Sequence, residues 1–434
     1  MKIITIALLA AGALSSLPAF ANEAELLKRL EKLQQELDNV KGELKKLQTK
    51  TDVIAQQQDA AQPPAASTVA QAPATQLSGY GEINYNRYRK DTSRSQADLR
   101  RAVIGLSHHF NDRISLKSEF EFEHAVTSRD DNGEVALEQL WLNYALKDSV
   151  NVKAGLFLMP FGFLNESHEP PVYYGVERNE VETRIIPSTW REGGVGIYGS
   201  TDAGLSYDVG ITTGFNAGKF DDPEEAPGAP LSGMHQELQE AKAHDLSLYT
   251  ALNYRAIPGL TIGGAVVTGN TTQGNAAFKA DPSQPNFAGI GGRLTLWDLH
   301  ARWQPGKWDL QGMYARGTIQ DADRIDQALL AFNNVSLTSR PYLPSAFYGW
   351  YVQTAYKVWE RDDLSLTPFL RYERYNTQAS MPAGFGADPL NDERVTTAGL
   401  SFKLHPKVVL KTDWQNYRRD NNKDRFNVGI GYMF

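Results

Sequence analysis

The sequence predicts an all-β protein, a 16-stranded antiparallel transmembrane β-barrel preceded by a short N-terminal coiled-coil helix. From residue 77 onward, polar and apolar side chains alternate as expected of strands with two different faces. The mean hydropathy is only −0.43, although the chain contains 19 Tyr, 18 Phe and 8 Trp. Strands that alternate lipid-facing and water-facing residues explain this combination, because their average hydropathy stays low. Short connections that alternate with long ones complete the prediction.

The overall composition excludes several classes of protein. The 434 residues include no cysteine, which excludes disulfide scaffolds, cysteine-ligated metal sites and cysteine nucleophiles. The 44 basic and 51 acidic residues leave a formal net charge of −7, which argues against a nucleic-acid partner. A membrane-spanning helix needs about 20 consecutive apolar residues. Only the N-terminus has an apolar run that comes near this length, which argues against a protein with several membrane-spanning helices.

Residues 1–21 have the pattern of a secretory signal peptide. Lys2 supplies the positive charge, residues 3–14 form an apolar run, and Ala19-Phe20-Ala21 is a small-x-small cleavage site. A membrane anchor is the alternative interpretation, but the apolar run is short and the cleavage site is well placed. Secretion without cysteine is typical of a bacterial envelope protein.

Residues 22–54 form a heptad segment that predicts a coiled-coil oligomerisation helix. The apolar residues are spaced alternately by four and three, which is an a/d seam. They are Leu26, Leu30, Leu33, Leu37, Val40, Leu44, Leu47, Thr51 and Ile54. A helix lying against its own barrel is the alternative. Leucine at both a and d leaves two strands and three strands open. Residues 55–76, rich in Ala, Gln and Pro, are predicted to form a linker.

Residues 77–434 are predicted to form the barrel. The predicted strands are 77–88, 98–110, 113–125, 134–147, 150–159, 193–200, 205–215, 244–254, 260–270, 293–304, 308–319, 345–357, 364–375, 394–404, 408–417 and 425–434. An even number of strands returns both ends of the barrel to the periplasmic side. The last strand alternates fully and ends on the apolar face at Phe434, which we expect the outer-membrane assembly machinery to read.

The connections have two length classes. Short links use the Asn, Asp, Gly and Pro residues that tight turns require. Long links cover residues 160–192, 216–243, 271–292, 320–344 and 376–393. Tight turns on one side and long loops on the other are typical of an outer-membrane barrel, whereas a soluble sandwich or propeller does not require short and long connections to alternate. Residues 160–192 are too long for a structureless connection, so we expect this loop to fold inward and narrow the lumen.

Three short motifs give the chain a family resemblance. Leu99-Arg100-Arg101-Ala102 opens the second strand, GLFLMPFG at 155–162 enters the third loop, and WREGGVGI at 190–197 leaves it. With these motifs the sequence resembles the phosphate-selective (O/P-type) porin superfamily. Its order of signal, coiled coil, linker and barrel is similar to the DcaP-like branch of trimeric porins. The resemblance covers essentially the whole mature chain and implies a sixteen-stranded trimeric porin with an inward-folded third loop that passes small anions. The dense arginine ladder of the phosphate channels is not evident in this sequence.

Strand parity and the third loop define the candidate pore-lining cations. They are Arg101, Lys117, Lys153, Arg302, Arg371, Lys403 and Lys411 on strands, with Arg178, Arg184 and Arg191 on the loop. The same parity directs Glu82, Glu119, Glu121, Glu123, Asp298, Glu373 and Asp413 inward. Pairing across the lumen, which would hold the wall and loop in shape, is the alternative role for each charge. The charges alone do not set the sign of ion selectivity, and only the resemblance favours anions.

Other chemistry has little support in the sequence. There is no HExxH motif and no nucleophile elbow, and the glycines at 289–292 precede a strand, so they do not form a phosphate cradle. We therefore expect no enzyme activity, no catalytic or metal-binding residues and no cofactor.

The predicted function is that of an outer-membrane porin for passive diffusion of small hydrophilic solutes, such as the anions of organic acids or phosphate. The alternatives are a structural barrel tethered to the cell wall by its coiled coil and, more distantly, an outer-membrane hydrolase. The expected partners are outer-membrane lipid and lipopolysaccharide, two further copies in a homotrimer, small solutes, and the assembly machinery. The barrel is expected in the bacterial outer membrane and the coiled coil in the periplasm.

Overall fold

A computed structural model describes residues 74–147, 149–220, 228–274, 284–333 and 343–434, together with Lys32 and Gln35, which are helical. The chain divides into two compact units, Met1–Ala72 and Pro73–Phe434. The predicted signal peptide, almost all of the predicted coiled coil and nearly all of the linker lie outside the described residues.

The second unit is built from antiparallel strands. In the described residues they are β1 Thr75–Tyr88, β2 Gln96–His109, β3 Ile114–Glu123, β4 Glu134–Lys147, β5 Val150–Leu158, β6 Arg191–Ser200, β7 Leu205–Thr212, β8 Ser247–Tyr254, β9 Leu260–Gly269, β10 Leu294–Trp303, β11 Trp308–Ile319, β12 Ala346–Tyr356, β13 Trp359–Arg361, β14 Leu364–Ser380, β15 Asp392–His405, β16 Val408–Tyr417 and β17 Arg425–Met433. The three-residue β13 pairs only with β14, while β12 pairs directly with β14. The wall therefore has sixteen strands.

The sheet closes on itself through its first and last strands. β1 pairs with both β2 and β17, and the Phe434 amide donates to the Gly79 carbonyl at 2.8 Å. Each of the sixteen wall strands has a neighbour on both sides, which removes the exposed edges of an open sheet. The predicted sixteen-stranded antiparallel barrel is thus confirmed.

Several strand ends differ from the sequence prediction, and two of the differences shorten a long loop. β14 continues to Ser380, because Ser380 pairs with Ala346, the first residue of β12. β6 begins at Arg191, which pairs with Leu158. Arg191 is therefore a strand residue and not a loop residue, and the third loop is correspondingly shortened to residues 159–190.

The two faces of the wall have opposite chemistry. In β17, Phe426, Val428 and Ile430 are each at least 40% exposed, whereas Asn427 between them is fully buried. Aromatic residues near many strand ends also face outward, as expected for rings at the two membrane interfaces. They are Phe110, Tyr144, Tyr254, Trp303, Trp308, Tyr356, Trp414 and Tyr432.

The apolar core lies inside the barrel and not between layers. Loop residues such as Trp190, Phe215 and Phe287 pack with inward side chains such as Tyr249 and Phe347. Helix α1, Val181–Arg184, and helix α2, Ala322–Asn333, lie in connections and add side chains to this cluster. Among the described residues, no helix has the length and apolarity needed to cross a membrane.

Candidate permeation pathway

The third loop, residues 159–190, is bonded to inward-facing residues of several strands. Its anchors join Tyr173 Oη to Glu82 on β1, Tyr174 Oη to Asp309 on β11, the Val176 amide to Asp413 on β16, and Glu182 to Tyr351 on β12, with donor–acceptor distances between 2.6 and 3.0 Å. These strands lie at different positions around the wall. A segment bonded to all of them runs across the lumen.

The third loop also packs closely against β17. A Cβ atom built on Gly431 would lie 2.2 Å from Pro170, and one built on Gly429 would lie 3.0 Å from Val176. The two glycines lie on the inward face of β17, so the absence of side chains there leaves room for the loop. The sequence shows that these glycines alternate with Ile430 and Tyr432, but it does not show that the third loop packs against them.

Helix α1 is fixed by a charged cluster around Glu180. The Glu180 carboxylate accepts hydrogen bonds from Tyr417 and from Arg184, while its amide donates to Glu373 at 2.7 Å. Burial alone would raise the pKa of Glu180, but Arg184, Arg425 and the Tyr417 hydroxyl outweigh it and lower the pKa to about 2. The carboxylate therefore stays ionised and holds the helix at physiological pH.

An extracellular chamber lies between the third loop and the wall formed by β1, β2 and β17. It has a volume of about 320 Å³. It is lined by five arginines, Arg100, Arg101, Arg178, Arg184 and Arg425, and by three glutamates, Glu82, Glu177 and Glu180. The formal charge of this lining is +2. We assign the chamber to the extracellular side because it lies toward the strand ends that carry the long loops.

Arg178 is the least compensated cation of this chamber. Its Nη1 donates to Ser188 at 2.9 Å and to Thr189 at 2.8 Å, both neutral hydroxyls. Its Nε and Nη2 are buried and have no hydrogen-bond partner. No neighbouring carboxylate in the described ranges balances the charge of Arg178, so this side chain adds to the positive potential of the chamber.

A β-bulge adds a cation that strict parity misses. Glu82 pairs with Arg101, but the next residue, Ile83, pairs with Leu99. Arg100 is the extra residue of this bulge and lines the extracellular chamber beside Arg101. A bulge redirects a side chain in this way because two residues oppose one on the neighbouring strand. Arg425 was also missed, although the alternation of β17 puts it on the same face as Asn427.

A second, periplasmic chamber of about 420 Å³ lies on the other side of the loop, toward the short turns. Its cations are Arg302, Lys357 and Lys403, and its acids are Asp309, Glu360, Asp362 and Asp363, so its formal charge is −1. The Tyr173 side chain borders both chambers. Lys411 covers one face of its ring, with Nζ 3.4 Å from the ring centroid. Tyr173 therefore marks the boundary between the two chambers.

The ten candidate cations fall into two groups, according to whether a carboxylate lies nearby. In the described ranges, seven of them lie within 4 Å of a carboxylate. The pairs are Arg101 with Glu82, Glu121 and Glu123, Lys117 with Glu119, Lys153 with Asp208, Arg184 with Glu180, Arg191 with Glu237, Arg302 with Asp309, and Arg371 with Glu373. Within the same ranges Arg178, Lys403 and Lys411 have no such carboxylate. For the seven, the alternative role of holding the wall and loop in shape has direct geometric support.

The comparisons with known proteins identify the family. The family model described as "Phosphate-selective porin O and P" matches residues 77–380, more than half of the chain. The chain belongs to the phosphate-selective porin O and P family. A protein of Aquifex aeolicus (strain VF5), described only as uncharacterized, is 31% identical over 377 residues, which cover 86% of this chain and 83% of that protein.

Solved structures resemble the barrel at low sequence identity. Salmonella typhi OmpF, in complex with daunomycin, has a TM-score of 0.53 and 14% identity, and the match covers 83% of this chain and 97% of OmpF. The outer membrane channel DcaP of Acinetobacter baumannii has a TM-score of 0.49, 13% identity and coverages of 83% and 97%. The OmpF match shows a shared barrel fold.

The family and the fold together establish the general function. This porin is an outer-membrane channel for small solutes and not an enzyme. Among the residues that the structure describes, no group of three or more His, Asp or Glu side chains is arranged to hold a metal ion.

Proposed function

We propose that this porin is a diffusion channel that prefers small anions, such as organic acids or phosphate. The observation that carries the proposal is the arginine excess in the extracellular chamber, whose lining includes Arg178, a cation with no carboxylate within 4 Å in the described ranges. Cations that face lumen water attract anions without removing all of their hydration, so passage stays fast. The family description, which names phosphate, points in the same direction.

The preference is expected to be weak or moderate. Most of the candidate cations are compensated by carboxylates, and the periplasmic chamber has a formal charge of −1. The two chambers therefore act in opposite directions, and the larger lining charge, +2 in the extracellular chamber against −1 in the periplasmic one, favours anions. The apolar cluster beside β8–β12 fills another part of the lumen and narrows the space open to water and ions.

The decisive experiment is a reversal-potential measurement. Purified full-length protein is inserted in a planar bilayer with a potassium chloride gradient across it. We expect discrete open steps and a reversal potential of the sign that chloride preference produces. A cation preference would refute the anion proposal and leave the channel function standing.

We further propose that the porin is a homotrimer held in part by a periplasmic coiled coil of residues 22–54. The support is the heptad seam, together with the position of β1, whose first residue lies at the end of the barrel that carries the short turns. Cross-linking in mild detergent should give a trimer ladder, and deletion of residues 22–54 should weaken it. Deletion of residues 56–70 from the linker is the matched control and should retain the ladder. A monomeric wild type would contradict the proposal.

A further inference from the structure

The outer surface of the barrel carries a row of arginines near the long-loop end. The row consists of Arg316 on β11, Arg374 on β14, Arg394 on β15 and Arg418 just after β16. Arg394 lies between the buried residues Glu393 and Val395, and Arg374 lies between the buried Glu373 and Tyr375. Alternation therefore directs these arginines away from the lumen.

Three arginines of the row are neighbours, and Arg316 lies across β12 from them, opposite Tyr348. Arg374 and Arg394 are directly opposite each other on paired strands, and the Arg418 amide donates to the Arg394 carbonyl at 3.0 Å. Two like charges opposite each other destabilise a sheet unless something neutralises them. In the described ranges, the only carboxylate within 4 Å of a guanidinium group of the row is that of Asp392, 3.5 Å from Arg374. The row thus has a formal charge of +4 against one acid.

Aromatic rings lie under and beside this row. The guanidinium carbon of Arg374 lies 5.9 Å from the centroid of the Tyr348 ring, which stacks on Tyr314 at 6.3 Å. Trp350, which pairs with Arg374, packs against Tyr372 at 5.6 Å. Aromatic and arginine side chains in this combination are typical of the zone where lipid headgroups meet the hydrocarbon.

An apolar groove begins below the rings. It has a volume of about 480 Å³ and is lined by Ala301, Leu310, Gly312, Val352, Leu370 and Tyr372. The groove exists because Gly312 contributes no side chain between Ala301 and Val352, its partners on the neighbouring strands. From Arg374 to Leu370 the strand rises by about 13 Å, at about 3.3 Å per residue. That distance is close to half the thickness of the hydrocarbon core, so one acyl chain reaches from the row into the groove.

We propose that the arginine row and the groove form a binding site for lipopolysaccharide of the outer leaflet. The phosphates of its headgroup bind between Arg374 and Arg394, with Arg316 and Arg418 at either side. The guanidinium fork suits phosphate oxygens, and each such contact is a charge-assisted hydrogen bond. One acyl chain lies in the groove at Gly312. This site is on the outside of the wall and does not depend on which solute the lumen passes.

The test uses purified full-length protein in mild detergent with defined lipids, and native mass spectrometry reports both bound lipid and oligomeric state. The wild type should bind rough-type lipopolysaccharide in preference to the same lipid after removal of its phosphates. The double variant Arg374→Gln/Arg394→Gln should bind at least tenfold more weakly. Arg361→Gln, which removes an exposed arginine at the short-turn end, is the control for loss of a surface arginine elsewhere and should bind as the wild type does.

A second variant tests the groove by itself. A Cβ at Gly312 would meet no atom closer than 3.5 Å, so the wall has room for the first carbon of a leucine side chain, and Gly312→Leu extends into the groove. It should weaken lipopolysaccharide binding while leaving the phosphate preference intact. Equal binding by the wild type and the double variant overturns the proposal, as does equal binding of the dephosphorylated lipid. Loss of the oligomer in the double variant, with lipid retained, would instead assign the row to a contact between copies. If the double variant does not fold, Arg316→Gln is measured in its place, with the same expected direction.

Discussion

Arg178→Gln is the sharpest test of how the pore attracts anions. The substitution lowers the formal charge of the extracellular chamber lining from +2 to +1. Glutamine puts a neutral amide in place of the guanidinium that now donates to the hydroxyls of Ser188 and Thr189. The change therefore removes a charge at a fixed place, and no carboxylate in the described ranges loses a partner.

The size of the effect follows from Coulomb's law. Two unit charges about 4 Å apart interact by about 1 kcal/mol in bulk water and by about 4 kcal/mol at an effective dielectric of about 20. A wet chamber is nearer the first value, and about 1.4 kcal/mol corresponds to a tenfold change. The ratio of anion to cation permeability should therefore fall about fivefold. Salt of about 0.1 M gives a Debye length of about 10 Å, so the effect survives screening in the assay.

The assay is the reversal potential of single channels under a salt gradient, with two controls. Arg178→Lys keeps the charge and should keep most of the preference. Arg87→Gln removes an exposed charge from the outer face of β1 and should change nothing. Arg191→Gln and Arg371→Gln are less informative, because each leaves a carboxylate, Glu237 or Glu373, without its partner. An unchanged reversal potential in Arg178→Gln would refute the reasoning, and equal loss in Arg178→Lys would indicate a displaced loop.

Three further outcomes are expected. Tyr173→Ala should raise single-channel conductance by joining the two chambers, whereas Tyr173→Phe, which keeps the ring, should not. Equal conductance in the wild type and both variants would contradict the boundary assigned to Tyr173. Burial raises the pKa of Asp326 on α2 to about 8, so folding favours its protonated form. The stability of the folded barrel, measured by heat-dependent gel shift, should therefore fall from about pH 4 to pH 8 and then level off. Asp326→Asn, which keeps an acceptor for the Leu343 amide, should remove that slope, and a parallel slope in the variant would be the contrary result. Phe434→Ala should lower the amount of folded protein in the outer membrane without changing the conductance of assembled channels, and a normal yield would count against a role in assembly.

The sequence by itself determined the barrel, its strand number and the face on which most charges lie. Those features follow from a period of two and from turn residues, which are local properties of the chain. All sixteen predicted wall strands are present, because one buried face and one lipid face fix the register of each. Even single inward positions such as Lys153 and Arg371 were predictable from parity, and both are buried.

Only the tertiary structure decided which charges are compensated and where the loop runs. Arg191 meets Glu237, and Tyr173 meets Glu82, across separations in sequence that no local pattern encodes. The bulge at Arg100 also depends on pairing between two strands, since parity along one strand assumes that no residue is extra. Arg178 differs from the compensated cations not by residue type but by the absence of a nearby carboxylate in the described ranges, a property of three-dimensional packing. Electrostatic interactions of this kind depend on distances of a few ångströms, and the closed barrel sets those distances.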